Sequence, residues 1–319
     1  MRCTSADRGG MVLYHAVSSY QLLEVMLHRR LCHPRERAVL LLPDFIVDKY
    51  PQYRRLRSLG FFEEVYLFPY LRIPHGSEEQ VMRDTARAYQ GLVPHDIGSF
   101  SRVYVAGAHF YFSLYLIRTG TPFVFFEDAA GMLARWEELY EGLARGYPLH
   151  AQLARKYGLF DGSCPLAEQV ICLKSAQRGA AEGARYADFS VREALLALAG
   201  RERGRLVRFF LRHPIRVRVE GILLTQQFAN LGLMSREEQR ALYQSLAEGP
   251  LQGVRLAIKR HPDDTLDYRD IFPHAAILPG IFPAELLPYV FRHRPDTVYT
   301  VSSTGCENLR GDFRIIRLE

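Results

Sequence analysis

Short apolar runs rich in β-branched and aromatic residues alternate with segments of helical periodicity through the first part of the chain. The runs at 11–17, 37–45 and 121–128 have the near-continuous hydrophobicity of strands that are buried on both faces. Between them, 19–31 and 78–93 carry apolar residues at the three- and four-residue spacing of amphipathic helices. This alternation predicts a parallel sheet with crossover helices, and therefore an α/β fold.

The same alternation restarts after a basic stretch and predicts a second α/β block. Strand-like runs recur at 221–228, 254–262 and 296–301. The helical segment between the first two opens with Ser235, and Glu238 follows three residues later in the pattern of a capping box. We therefore expect two domains, 1–218 and 219–319, with a single large sheet as the alternative.

Charge and hydropathy narrow the classes of protein that remain. The chain has 319 residues and a net charge of +6, with the arginines densest over 201–220. Such an excess suits an anionic partner, either a phosphate-bearing substrate or a membrane surface, although a solvated basic face explains it equally well. Nucleic acid is not an expected partner, because no known binding module is present. No apolar run approaches the roughly 20 residues that span a bilayer, so a cytoplasmic protein is expected.

Two acidic residues follow an apolar strand-like run in "FVFFEDAAG" (123–131). Glu127 and Asp128 would lie at the carboxyl end of a parallel strand, where open α/β sheets bind their ligands. Partial burial and mutual repulsion raise a carboxyl pKa, which suits a general base. The alternative is that these acids cap the helix that follows.

A second candidate is "LAIKRHPDD" (256–264), in which three basic side chains leave a buried strand together. Lys259, Arg260 and His261 are suited to meet a phosphate group, and Pro262 restricts His261 to an extended conformation. The His-Pro dipeptides at 33–34 and 213–214 lie in connectors and are expected to be structural.

The third candidate is the hydroxyl-rich turn "SSTG" (302–305). Ser302, Ser303 and Thr304 precede a glycine and a helix-like stretch, and hydroxyls with free N–H groups at a helix start bind anions. The alternative is an ordinary Ser/Thr helix cap. Phosphate-binding P-loops, GxGxxG turns, nucleophile elbows and zinc motifs are absent from the sequence.

In this order, the three stretches resemble the motifs of bacterial sialyltransferases of the lipooligosaccharide and capsule polysialyltransferase type. Those enzymes carry an acidic-acidic-Gly motif, then an HP motif, then a Ser/Thr-rich motif. The likeness extends over about 220–311, including "LLTQQFANLGLMSREEQRALYQSL" and "FPAELL", and in the first block it is limited to "FFEDAAG".

The resemblance implies a GT-B fold of two Rossmann-like domains and an inverting transfer of sialic acid from CMP-sialic acid to a cell-surface glycan, without a metal or other cofactor. It implies that Asp128 is the general base, with Glu127 as the other candidate, and that His261 stabilises the departing CMP phosphate. The implied partners are a nucleotide-sugar donor and a glycan acceptor, whereas a peripheral contact with the anionic inner face of the cytoplasmic membrane is expected from the arginine excess alone. The resemblance also assigns donor-binding roles to Ser302, Ser303, Thr304, Glu285, Lys259 and Gln226.

One departure from the family pattern concerns the turn after the acids. The family usually has glycine directly after the acidic pair, whereas Ala129 and Ala130 precede Gly131 in this chain. The choice between Glu127 and Asp128 therefore stays open at the level of sequence. Related GT-B enzymes that use UDP-glucose, CMP-Kdo or CDP-polyol donors are alternatives, as is a protein that binds anions or polysaccharide without turnover.

Overall fold

The protein is described by a computed structural model that covers residues 10–177, 183–280 and 282–318, without the side chain of Thr304. The chain divides into two compact units, Met1–Ala197 and Leu198–Glu319. The boundary that we expect at 218 lies beyond this division, so the basic stretch at 201–220 belongs to the second unit.

The first unit is built on a seven-stranded sheet in the order β3-β2-β1-β4-β5-β6-β7, and all neighbouring strands are parallel. Its strands are β1 Met11–His15, β2 Arg37–Pro43, β3 Glu64–Phe68, β4 Phe100–Ala106, β5 Phe123–Phe126, β6 Ala167–Cys172 and β7 Tyr186–Asp188. The strand order reverses direction between β1 and β4, and open α/β sheets bind ligands at the carboxyl ends of strands beside such a reversal.

Among the described residues of this unit, six α-helices lie between these strands and a seventh follows β7. They are α1 Ser19–Cys32, α2 Ile46–Lys49, α3 Glu78–Leu92, α4 Phe112–Thr119, α5 Trp136–Gly146, α6 Pro148–Lys156 and α7 Val191–Ala197. Helix α1 begins directly after β1, and its N-cap Ser18 accepts a hydrogen bond from the Gln21 backbone N at 3.2 Å. This cap fixes the start of α1 at the reversal point of the sheet.

The second unit contains a five-stranded parallel sheet in the order β10-β9-β8-β11-β12, which reverses between β8 and β11. Its elements are α8 Gly200–Phe210, β8 Gly221–Leu224, α9 Arg236–Glu248, β9 Leu256–Lys259, β10 Ala276–Ile277, α10 Leu287–Val290, β11 Thr297–Thr300 and β12 Arg314–Arg317. The capping box of Ser235 and Glu238 is confirmed at the start of α9.

The α/β alternation that the sequence predicts is thus confirmed as two parallel sheets, and the single-sheet alternative is wrong. Short apolar runs became strands because each is covered on both faces, as the fully buried pattern of β5, β8 and β9 shows. Among the described residues, no helix combines the length and apolar character that crossing a membrane requires.

Candidate active site

Glu127, the residue after β5, is buried in the first unit and holds the loops around it. Its carboxylate accepts hydrogen bonds from the Leu173 backbone N (2.6 Å), the Gly131 backbone N (3.0 Å) and Gln177 Nε2 (2.6 Å). Burial raises the pKa of Glu127 to about 7, and these N–H donors oppose that shift. This carboxyl group, with 1% of the residue exposed, therefore connects the turn after β5 to the segment that follows β6.

The two alanines that separate the acidic pair from Gly131 form the turn that brings this glycine back to Glu127. Gly131 has φ of +82°, a left-handed conformation that glycine adopts without strain. A Cβ atom at this position would also lie 3.0 Å from the Ala176 carbonyl oxygen. The two extra residues before the glycine therefore form a turn whose last position, Gly131, favours glycine.

Asp128, the residue after Glu127, is half-buried and lies close to the segments that follow β1 and β4. Gln21 Nε2 donates to its Oδ1 at 2.7 Å and to its backbone oxygen at 3.3 Å. His109 Nδ1 lies 3.8 Å from the same Oδ1, and a quarter of the Asp128 side chain is exposed. Because Gln21 is in the first turn of α1 and His109 follows β4, the Asp128 carboxylate lies at the reversal point of the sheet.

His109 and Gln21 are the residues of this group that we did not predict from sequence. The His109 ring stacks on Phe160 with 5.5 Å between centroids, and burial lowers the pKa of His109 while the charge of Asp128 opposes this effect. The only signal in the sequence was position, since both residues lie a few residues beyond the ends of buried strands.

In the second unit, Lys259 ends β9 and is buried. Its Nζ donates to the Arg260 carbonyl oxygen at 3.2 Å and lies 5.0 Å from the centroid of the Phe282 ring. Burial lowers the pKa of Lys259 to about 8, and the charge of Glu285 opposes the shift. Lys259 therefore lies within the protein instead of projecting from the strand end.

Glu285 is the acidic counterpart of Lys259 and is also buried. Burial raises the pKa of Glu285 to about 7, with Lys259 opposing. A Cβ atom on Gly305 would lie 3.9 Å from Glu285 Oε1, so this carboxyl group reaches the glycine of the "SSTG" turn. The interaction of Glu285 with Lys259 brings the end of β9 close to the turn that follows β11.

His261 is half-buried and is held by both its backbone and its ring. Its backbone N donates to Thr225 Oγ1 at 3.4 Å, and its Nδ1 accepts from the Asp263 backbone N at 3.2 Å. Because Nδ1 is an acceptor, the proton of the neutral ring is assigned to Nε2.

Asp264 closes the turn after Pro262, as its place in a polar turn indicates. Its carboxylate also anchors Thr225, which the sequence did not indicate. The buried carboxylate accepts from Thr225 Oγ1 (2.8 Å), Tyr268 OH (2.6 Å) and Gln239 Nε2 (3.1 Å). Thr225 follows β8, so Asp264 fixes the His261 turn to the neighbouring strand end. Gln226, next to Thr225, donates from its backbone N to Tyr243 OH at 2.9 Å.

The hydroxyl-rich turn after β11 is a tight loop followed by a 3₁₀ segment, Thr304–Leu309, where the sequence suggested a helix start. The Ser303 backbone N donates to Thr300 Oγ1 at 2.9 Å, and Ser303 Oγ accepts from the Gly305 backbone N at 3.3 Å. Ser302 and Ser303 are half-buried, whereas the Thr304 side chain lies outside the described part of the structure. Ser303 therefore acts as a cap within this turn.

The predicted residues thus gather at the carboxyl edges of the two sheets, each set within its own unit. Asp128 and Glu127 lie at the edge of the first sheet. In the second unit Lys259 ends β9, His261 and Gln226 follow strands, and Glu285 approaches the Ser302–Gly305 turn. Within the ranges that the structure describes, no group of three His, Cys, Asp or Glu side chains is arranged to hold a metal ion.

Comparison with known proteins yields structural likeness only. No protein-family model matches the chain, and no curated protein sequence matches it. UDP-GlcNAc 2-epimerase from Methanocaldococcus jannaschii, in complex with UDP-GlcNAc and UDP, is similar over 93% of this chain and 80% of its own, with 10% identity and a TM-score of 0.55. The S. aureus MnaA–UDP structure is similar over 93% of this chain and 75% of its own, with 10% identity and a TM-score of 0.50.

The calicheamicin glycosyltransferase CalG4 covers 98% of this chain and 80% of its own, with 16% identity and a TM-score of 0.49. At such identities the likeness to the Methanocaldococcus jannaschii and S. aureus structures speaks for the fold alone. Together with the two parallel sheets, it confirms the predicted GT-B fold class of two Rossmann-like units.

Proposed function

We propose that the protein is an inverting, metal-independent glycosyltransferase that moves sialic acid from CMP-sialic acid to a hydroxyl group of a cell-surface glycan. The observation that carries this proposal is the joining of the His261 turn and the "SSTG" turn in the second unit. Lys259 precedes the first turn, Glu285 reaches the second, and the two charges interact. Two loops that resemble one family's HP and Ser/Thr motifs thus lie at one edge of a sheet, where α/β folds bind nucleotides.

On the acceptor side, Asp128 would take the proton of the attacking hydroxyl group. That oxygen then forms a bond to the anomeric carbon while the bond from this carbon to the CMP phosphate oxygen breaks, and the electron pair leaves with CMP. Asp128 suits this role better than Glu127, because a quarter of its side chain is exposed and its carboxylate is oriented by Gln21. Glu127 is buried and already accepts three hydrogen bonds.

On the donor side, His261 Nε2–H would donate to the departing phosphate, which gains charge as the bond breaks. The hydroxyl groups of Ser302 and Ser303 would bind the same phosphate, with Thr304 beside them. Fixed donors of this kind stabilise a developing charge without reorganisation, which accounts for the absence of a metal from the proposed mechanism. Lys259 and Glu285 would position the two turns and, with Gln226, complete the donor side near the ribose.

A uridine nucleotide sugar is the second candidate donor. It is favoured by the fold likeness to a protein that was solved in complex with UDP-GlcNAc and UDP. The sequence likeness of the HP and Ser/Thr motifs to a family that uses cytidine nucleotides favours CMP-sialic acid.

The experiment is to incubate the purified protein with a mixture of glycan acceptors and one donor at a time, with and without EDTA. The donors are CMP-sialic acid, CMP-Kdo, UDP-glucose and a CDP-polyol. We expect transfer or slow hydrolysis with CMP-sialic acid alone, at a rate that EDTA does not change. Turnover of UDP-glucose without turnover of CMP-sialic acid would contradict the proposed donor. Strict dependence on an added divalent ion would contradict the proposed mechanism.

A further inference from the structure

Helix α8 of the second unit has an arginine-rich side opposite the side that it buries. Arg201, Arg205 and Arg208 recur at the spacing of one helical face and are exposed. Leu206, Phe209 and Phe210 of the same helix are buried. The helix is therefore anchored by an apolar side and presents guanidinium groups to solvent.

The chain continues from α8 into a connector that keeps the same character. Ile215 pins the connector to the unit, since its backbone N donates to the Val290 oxygen at 2.7 Å and its oxygen accepts from the Arg292 N at 2.9 Å. Arginines on both sides of this anchor are exposed, and Val217 among them is 41% exposed. We define the arginine face as Arg201, Arg205, Arg208, Arg212, Arg216 and Arg218.

A cavity of about 340 Å³ opens beside α8, next to the arginine face. Gly200 and Gly204 lie one helical turn apart along it, and a Cβ atom on Gly200 would meet no heavy atom within 4 Å. The walls of this cavity combine guanidinium groups with aliphatic surface. The residues that line it include Arg203, Arg208, Arg212, Val207, Leu211 and Val290. The cavity thus offers cations and apolar contacts together.

Part of the positive charge on this face has no carboxylate partner among the described residues. The segment 200–220 contains seven arginines and two glutamates, and Glu220 pairs with Arg255 outside the segment. Within the part of the chain that the structure describes, no carboxylate lies at ion-pair distance from Arg208, Arg212 or Arg216. An anionic partner would supply the missing counter-charges.

We propose that the arginine face and its cavity bind the phosphate headgroups of an anionic phospholipid bilayer. One phosphate enters the cavity between Arg208 and Arg212, where guanidinium groups form paired hydrogen bonds to phosphate oxygens. The remaining arginines extend beyond the reach of a single phosphate, and Val217 adds an apolar contact. An extended surface of charged lipids engages all of them at once, whereas a small soluble anion does not.

The test is sedimentation of the full-length protein with vesicles of phosphatidylcholine alone and of phosphatidylcholine mixed with phosphatidylglycerol. We expect binding to the anionic vesicles only, and binding that weakens as salt is added. The double variant Arg208→Ala/Arg212→Ala should bind about 30-fold more weakly, given the usual contribution of each arginine near a charged membrane. Arg236→Ala/Arg269→Ala removes the same charge from exposed positions elsewhere in the unit and should bind as the unmodified protein does.

A second variant distinguishes the contribution of the cavity to vesicle binding from the contribution of the arginine charges. Gly204→Leu fills the groove without changing the charge and favours the helix, and it should weaken binding several-fold. Unchanged binding by Gly204→Leu would show that the cavity takes no headgroup, and an equal loss in the control double variant would show that the arginine face is not the site. Binding of inorganic phosphate or of a DNA duplex without binding to anionic vesicles would overturn the proposal.

Discussion

The carboxyl ends of β5 and β9 each pair a buried residue with a half-buried one that follows within two positions, although the strands belong to different units. In each, a residue at the strand end is buried and ties loops together, namely Glu127 in the first unit and Lys259 in the second. A residue just beyond it, Asp128 or His261, is half-buried. In each case the buried residue is structural and the half-buried residue is the one proposed to take part in the chemistry, a distinction that sequence proximity alone does not make.

The two strand ends differ in how the buried group is stabilised. Neutral N–H donors surround Glu127, whereas Lys259 interacts with the opposite charge of Glu285 and with an aromatic ring. The first site favours the neutral form of Glu127, whose charge burial destabilises, while the second depends on both charges being present. Four substitutions test this comparison.

The largest effect is expected for Asp128→Asn, which removes the proposed base and keeps its shape. The rate of transfer should fall by about 10²–10⁴-fold, the usual contribution of a general base. Thermal unfolding should stay unchanged, because an amide still accepts a hydrogen bond from Gln21. Glu168→Gln, the same change at an exposed position in β6, is the control and should leave the rate unaltered. A fully active Asp128→Asn variant would assign the base elsewhere.

Lys259→Met should destabilise the second unit. It leaves the buried Glu285 without its cationic neighbour, at a cost of about 3 kcal/mol in the free energy of unfolding. Urea denaturation measures this loss. Adding Glu285→Leu should recover much of the stability, since neither charge then remains. Failure of the second substitution to restore any stability would show that the two charges do not interact.

The raised pKa of Glu127 predicts a pH dependence of stability. Its pKa is about 7 in the folded protein and near 4.5 when unperturbed, so the folded state binds more protons between these values. Its contribution to stability is therefore complete below about pH 4.5 and is lost as the pH rises through about 7, by at most about 3 kcal/mol. Glu127→Gln cannot ionise, so its urea midpoint should lack this decline. Parallel pH curves for both proteins would contradict the assignment.

The smallest effect is expected for Gln21→Leu, which removes a side-chain donor to Asp128. Loss of this orienting hydrogen bond should slow transfer by about tenfold, equivalent to one hydrogen bond to a charged group. A lower rate accompanied by a large loss of thermal stability would instead indicate a general packing defect in α1.

The sequence was sufficient for the sheets and for the position of the candidate residues, because both follow from local hydrophobic patterns. Strand ends could be located, and polar residues there could be named. The partners of those residues could not be predicted, since they come from distant segments. Gln21 and Asp128 are 107 positions apart in the chain, and no local pattern connects them.

Asp264 shows the same limit in a different form. Its place after His-Pro is typical of an exposed turn, and it does close that turn through its backbone. Its carboxylate nevertheless receives donors from Thr225, Gln239 and Tyr268, which only the packed second unit brings together. Turn chemistry is visible in sequence, whereas the direction of a side chain within the fold is not.

The central claim is that His261 stabilises the leaving phosphate of a cytidine nucleotide sugar. The most direct test compares transfer from saturating CMP-sialic acid, in EDTA, by the unmodified protein, His261→Ala and His274→Ala, an exposed histidine of the same unit. We predict that His261→Ala is slower by about 10²–10³-fold, with an unchanged circular dichroism spectrum, and that His274→Ala retains the full rate. A His261→Ala variant that transfers as fast as the unmodified protein would contradict this account.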